Sequence, residues 1–156
     1  MSPWLENNWL THTQILLDSY HALLGEQLIE RSGNLEEDAK RLFDAPFVVV
    51  SHGTESDPIL NYGNQTALAL WEMTIEQFVQ TPSRMTAEPV HRDERARLLE
   101  RTSKQGFVDD YRGIRVTSTG QRFLIERATV WNLSDASGTR VGQAATFSEW
   151  VPLTKG

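Results

Sequence analysis

Apolar residues first recur at helical spacing. Leu17, Tyr20, Leu24 and Leu28 make one stripe, widened by Leu16 and Leu23. Thr11-His-Thr-Gln14 has capping-box spacing and Ser32-Gly33 is a stop, so a helix is predicted from about residue 12 to 31, with Trp4 and Trp9 as anchors upstream. Asn34-Leu-Glu-Glu37 opens a shorter helix to Phe43, and Pro46 ends the helical pattern. Residues 47–51 read as a buried strand, and 59–62 as its return after the turn-rich His52-Gly-Thr-Glu-Ser-Asp-Pro58. Short helices follow at 65–72 and 75–80, the second opened by Thr74 with Gln77 three residues on. Pro89 suits the first turn of a longer helix to Gln105, closed by Gly106. Strands come last, at about 107–117, 121–133 and 140–151, joined by Ser118-Thr-Gly120 and Asp135-Ala-Ser-Gly138. This order predicts an α+β fold, a five-stranded antiparallel sheet with short helices on one face. Residues 1–45 are expected to be an N-terminal helical extension and 46–156 the sheet domain.

The most specific local signal is Ile59-Leu-Asn-Tyr-Gly-Asn64-Gln-Thr-Ala-Leu-Ala-Leu-Trp71. Gly63 permits a tight backbone, and the Asn64 side chain can accept from free amides of the helix that follows, so Asn64 is read as a structural cap. This strand–Asn–helix junction resembles the mouth of the ligand pocket in PAS-type sensor domains. Four segments, one of them within this stretch, sharpen the likeness: Pro46-Phe-Val-Val-Val-Ser-His52-Gly, Asn61-Tyr-Gly-Asn-Gln-Thr-Ala67, Thr129-Val-Trp-Asn132 and Gly142-Gln-Ala-Ala-Thr146. They are similar to the MEKHLA domain, a PAS-related module, in its stand-alone bacterial form, over roughly residues 12–151. The resemblance implies a PAS-like sheet and a sensory, ligand-binding or protein-interaction role. It implies that the signal passes to a partner or through self-association, by a shift of the pocket helices and sheet that alters the N-terminal helix contact. It brings no agreed ligand and no catalytic residues.

Composition narrows the setting. The 156 residues are enough for one solid core, and 39% apolar residues with five Trp argue against disorder. The longest apolar runs fall short of the roughly 18 residues a membrane span needs, and Met1-Ser-Pro-Trp-Leu-Glu is unlike a secretory leader. The chain has no cysteine, which excludes disulfides, thiolate ligands and the flavin–cysteine adduct of light-sensing relatives, and fits a reducing cytoplasm. The cofactor is left open. Residues 1–83 carry 12 acidic and 3 basic side chains, and residues 84–127 carry 10 basic and 7 acidic. With a pI near 5.2, direct nucleic-acid binding is not expected. The helix at 12–31 is expected to cover the outer sheet face or to meet a protein partner or a second copy.

By position in such a fold, Tyr62, Trp71, Phe78 and Met85 would line an interior able to hold a small molecule, with alternate residues of the last two strands. Glu126 and Arg127 sit mid-strand, where alternation sends them to opposite faces, so the inward one needs a partner. For Glu126 that partner would be Arg115 or Arg112. Gln143 lies where flavin-binding PAS relatives use an amide to read the ring, but its offset from Gly142 differs, and a surface position is expected. His52 would reach the pocket mouth or cap the Thr54–Asp57 turn. His12, His21, His52 and His91 show no ligand spacing, so no metal site is expected. His91 begins the long helix, which supplies the axial ligand in haem-binding PAS sensors, yet Arg92, Asp93 and Glu94 beside it mark a solvated context, and haem is not expected. The competing reading is a small proton-transfer enzyme of isomerase or hydratase type, using His52 with Glu126 or Glu88. The chain has no Gly-x-Ser-x-Gly, phosphate loop or dinucleotide fingerprint, so the non-enzymatic reading leads.

Overall fold

The structure, a computed structural model, describes residues 6–86 and 92–153. The first helix, α1 (Asn7–Leu24), starts before Thr11 and ends at Gly25, whose φ of 75° is left-handed. The capping-box reading of Thr11 is thereby corrected. Trp9 packs on Tyr62, ring centroids 4.7 Å apart, and on Phe43 at 6.3 Å, so the helix gains a packed turn ahead of Thr11, which lies exposed within it. The stretch to residue 33 is not helical. Arg31 holds it through Asp18, at 2.7 Å, and Gln14, while Asp38 accepts from Ser32 N at 2.7 Å. Asn34 caps α2 (Leu35–Phe43), its side chain accepting from Glu37 N at 2.9 Å.

Strands β1 (Val48–His52) and β2 (Leu60–Gly63) lead into α3 (Gln65–Trp71) and α4 (Ile75–Phe78), the latter opened by the reciprocal Thr74–Gln77 capping box. A 3-10 turn, Ser83–Thr86, precedes α5 (Arg92–Gln105). The helix start expected near Pro89 falls outside the described residues. Strands β3 (Phe107–Val116), β4 (Arg122–Ser134), β5 (Arg140–Phe147) and β6 (Trp150–Pro152) complete the sheet.

Every pairing is antiparallel, in the order β2-β1-β5-β4-β3, with β1 between β2 and β5. The expected last strand is split. β5 and β6 run along the same side of β4 in one register, Thr146 opposite Thr129 and Trp150 opposite Ile125, with Ser148 and Glu149 unpaired between them. The sheet therefore has six paired segments rather than five. At the same level of β4 its other neighbour, β3, shifts register between Tyr111 and Gly113.

Both faces are covered. On the inner face α3, α4 and α5 pack with Trp71, Phe78, Leu98, Phe123, Ile125, Val130 and Phe147. On the outer face α1 and α2 pack with Leu16, Leu17, Tyr20, Leu42, Val49, Tyr62, Trp131 and Leu133. The stripe of α1 is thus satisfied on its own sheet. It is rotated from the expected line: Leu16, Leu17 and Tyr20 are buried, while Leu24 and Leu28 are only partly so. Among the described residues no helix is long and apolar enough to cross a membrane.

Candidate functional site

The junction at Asn64 builds one wall of the site. Asn64 Oδ1 accepts from Ala67 N and Val49 N, both at 3.1 Å, and Nδ2 donates to Leu42 O at 3.1 Å and Phe47 O at 2.8 Å. One buried amide thus joins the end of α2, the start of β1 and the first turn of α3. Beside it Gly63 is required by contact: a Cβ there would lie 2.7 Å from the Phe78 ring. Phe78 seats against Gly63, and Trp71 stacks edge-on against Phe78, Phe123 and Phe147, at 6.3, 5.4 and 6.2 Å between centroids.

This aromatic cluster leaves a cavity of about 70 Å³ between the inner sheet face and α3, α4, the 3-10 turn and α5. Its walls are mostly apolar, including Val50, Leu60, Leu98, Ile125, Val130 and Ala145, with Ser83 and Thr86 from the 3-10 turn. The volume matches a few water molecules and falls well below the roughly 300 Å³ of a drug-sized site.

Three polar side chains on its lining stand out. Among the described residues Trp71 Nε1 and Gln143 Oε1 are buried without a hydrogen-bond partner. Gln143 is not at the surface, which corrects the expectation: it is 1% exposed, and its Nε2 donates to Leu99 O at 3.1 Å and Asn132 Oδ1 at 3.0 Å. Its face of β5 is covered by α5, a long-range contact that its offset from Gly142 could not reveal. Arg115 is 8% exposed, lies with its Cζ 5.1 Å from the Tyr111 ring centroid, and donates from Nη1 to Ile114 O at 3.1 Å.

Trp71, Arg115, Gln143 and His52 come together on this lining. Tyr62 does not: it faces α1 on the outer side, because it lies opposite Ser51 rather than Val50, and burial pushes its phenol well above the usual range. Met85 projects outward, 48% exposed, since the 3-10 turn directs Ser83 and Thr86 inward instead. Glu126 and Arg127 are both exposed rather than on opposite faces. The register shift opposite them on β3 breaks the alternation, so Ile125 and Ala128 face inward and the two charges between them face water. Glu126 pairs with Arg112 at 3.6 Å, and Arg127 Nε donates to Asp109 O at 3.2 Å. The His52–Glu126 pairing is not assembled. His52 pairs with Gln143, opposite Asn132 of β4, and Glu126 lies six residues farther along that strand, roughly 20 Å away at ~3.3 Å per residue. Glu88 and His91 lie outside the described residues. Tyr111 and Leu98 were missed; the alternation Tyr111, Gly113, Arg115 on β3 is the signal that would have found the first.

Two ties connect the cavity to its surroundings. Glu72, left-handed at φ 59°, ends α3 just after Trp71. Its carboxylate accepts from the Thr119 hydroxyl and from Thr117 Oγ1 at 3.0 Å, contacts that hold its carboxyl below the usual range, and Ser118 N donates to Trp71 O at 3.1 Å. On the other face His12 Nε2 meets Ser51 Oγ at 2.8 Å, and Ser51 in turn donates to Asn61 Oδ1. Ser51 spends its one proton on Asn61, so His12 is the donor to Ser51. Burial lowers the His12 pKa to about 4.

Comparison with known proteins agrees with this architecture. A PAS domain of a protein from Colwellia psychrerythraea superposes with a TM-score of 0.64 at 15% identity, covering 78% of this chain and 98% of that one. A light-oxygen-voltage domain studied with a flavin analogue gives 0.58 at 15% identity, covering 75% and 84%, and a PAS domain from a two-component sensor histidine kinase gives 0.55 at 13%, covering 73% and 91%. At such identities the likeness shows the fold. Among curated proteins none matches the chain in sequence. The sequence model of the MEKHLA domain matches residues 10–152, almost the whole described fold, and the chain, whose fold is PAS-like, therefore belongs to the MEKHLA domain family.

Proposed function

We propose that this chain senses a small ligand in the inner-face cavity and relays its presence to the N-terminal helical segment, residues 1–45. The observation that carries the reading is a mostly apolar cavity with two buried polar atoms, Trp71 Nε1 and Gln143 Oε1, that lack partners among the described residues. Such atoms cost stability unless something bonds them, and a small molecule with an acceptor, alone or with a retained water, would. The relay would use the pleat: Val50 and Ala145 face the cavity, while their neighbours Ser51 and Ala144 face α1. A ligand that favours one placement of β1 and β5 would change how His12 and α1 sit on Ser51. Release of α1 would then offer its apolar stripe, within residues 12–31, to a protein partner or a second copy. The lack of cysteine suits such a module to a cytoplasmic setting. The small volume supports a compact ligand over one of flavin or haem size.

The test compares the wild type with Ala145→Leu, which fills the cavity from β5. Native mass spectrometry and thermal-shift screening should find a retained mass or a stabilising small molecule in the wild type, lost in the variant. A wild type without retained mass and unresponsive to every compound screened would overturn the reading.

A further inference from the structure

Resting on that reading, we infer that the ligand carries a carboxylate, which Arg115 holds from above the Tyr111 ring, with a short apolar tail directed at the cavity walls. A buried guanidinium is costly unless an anion accompanies it. Arg115 is more than nine-tenths buried, and among the described residues no carboxylate meets it within ion-pair distance. Of the two arginines expected as partners for Glu126, Arg112 takes it, at the surface, and Arg115 does not. What Arg115 has is the Tyr111 ring, at 5.1 Å, and one hydrogen bond to Ile114 O. Guanidinium carries five N–H groups, so most of its donor edge is left for a ligand.

The local sequence arranges this. A Cβ at Gly113 would fall 2.1 Å from Tyr111 Oη, so only glycine there leaves room for the tyrosine to lie along β3. Stacking on that ring fixes the plane of the guanidinium, and a planar fork matches a planar carboxylate through two parallel hydrogen bonds. Trp71 and Ile125 line the same cavity and offer apolar surface to a tail. A volume near 70 Å³ confines the ligand to a few heavy atoms.

The experiment measures melting temperature and calorimetric binding of the full chain with acetate, propionate, butyrate, propionamide and inorganic phosphate. It does so for the wild type, Arg115→Lys and Arg115→Met. Propionate or butyrate should bind and raise the wild-type melting temperature, with propionamide and phosphate inert. Arg115→Lys, which keeps the charge but loses the fork, should bind at least about tenfold more weakly. Arg115→Met should not respond, and should melt no lower than the unliganded wild type, because an unpaired buried cation has been replaced by an apolar chain of similar length. Equal binding of propionamide, binding of phosphate alone, or an undiminished propionate response in Arg115→Met would each overturn the inference. Failure of all carboxylates overturns it as well, and the retained-mass comparison with Ala145→Leu then shows separately whether the cavity reading survives.

Discussion

Asn64 bonds with both ends of its amide to three separate elements, so its replacement should cost more than a helix cap alone. Losing the cap is worth about 1 kcal/mol, and leaving buried backbone groups unpaired adds about 1–3 kcal/mol. Asn64→Ala should therefore lower unfolding free energy by about 2–4 kcal/mol, read as the midpoint of urea denaturation. A loss under about 1 kcal/mol would mean that the junction acts as a cap and nothing more. The cap was legible in the sequence because its acceptor role is local. The bonds to Leu42, Phe47 and Val49 were not, since those partners lie 15 to 22 residues away. His12 gives a second prediction at this scale. Its folded-state pKa, about 4, lies below the 6.5 of a free histidine, so the folded chain prefers it neutral. Its contribution is intact above pH 6.5 and is lost as the pH falls toward 4, on the order of 3 kcal/mol in full. Melting temperatures at pH 7.5 and 5 should differ less in His12→Gln than in the wild type; an unchanged difference would assign the acid sensitivity elsewhere.

At the scale of elements, α1 shows what a sequence stripe leaves open. Periodicity placed Leu17, Tyr20, Leu24 and Leu28 on one line, but the sheet takes Leu16 and Leu17 completely and Leu24 only in part. Leu17→Ala should cost about 2–5 kcal/mol, in the usual range for a buried leucine, and Leu24→Ala less than half as much. Equal losses in thermal or urea melts would restore the simpler stripe. Strand β4 teaches the complementary lesson. Its alternation holds over Phe123 and Ile125, breaks at Glu126 and Arg127, and resumes with Ala128 and Val130 on the inner face. The irregularity has no Gly or Pro to mark it in β4 itself, and every inward assignment beyond it moves by one.

At the scale of the whole molecule, the sheet is a shared partition with a cavity on one side and a helical cover on the other. The cover shields Tyr62, Trp131 and Leu133, all fully buried. Removing residues 1–33 should expose that face, so the truncated chain should bind a hydrophobic dye and associate with rising concentration, in contrast to the full chain at equal concentration. Light scattering alongside dye fluorescence checks this. A truncated form that stays dispersed and melts like the full chain would show that α1 is dispensable to the sheet.

What the sequence determined by itself was whatever depends on neighbours along the chain. The order of helices and strands, the Thr74–Gln77 box, the Asn34 and Asn64 caps and the family likeness all rest on residues a few positions apart. Tertiary structure alone decided which side each strand residue faces and which charges meet. The bulge turned Glu126 to water and gave it to Arg112; β3 carried Arg115 inward onto Tyr111; and the pairing of Ser51 with Tyr62 sent that tyrosine to the α1 side. A strand has a period of two, so one shifted residue exchanges inside for outside, and nothing local reports the shift. The cavity belongs to this second class, because its volume is what remains after side chains from nine separate elements have packed.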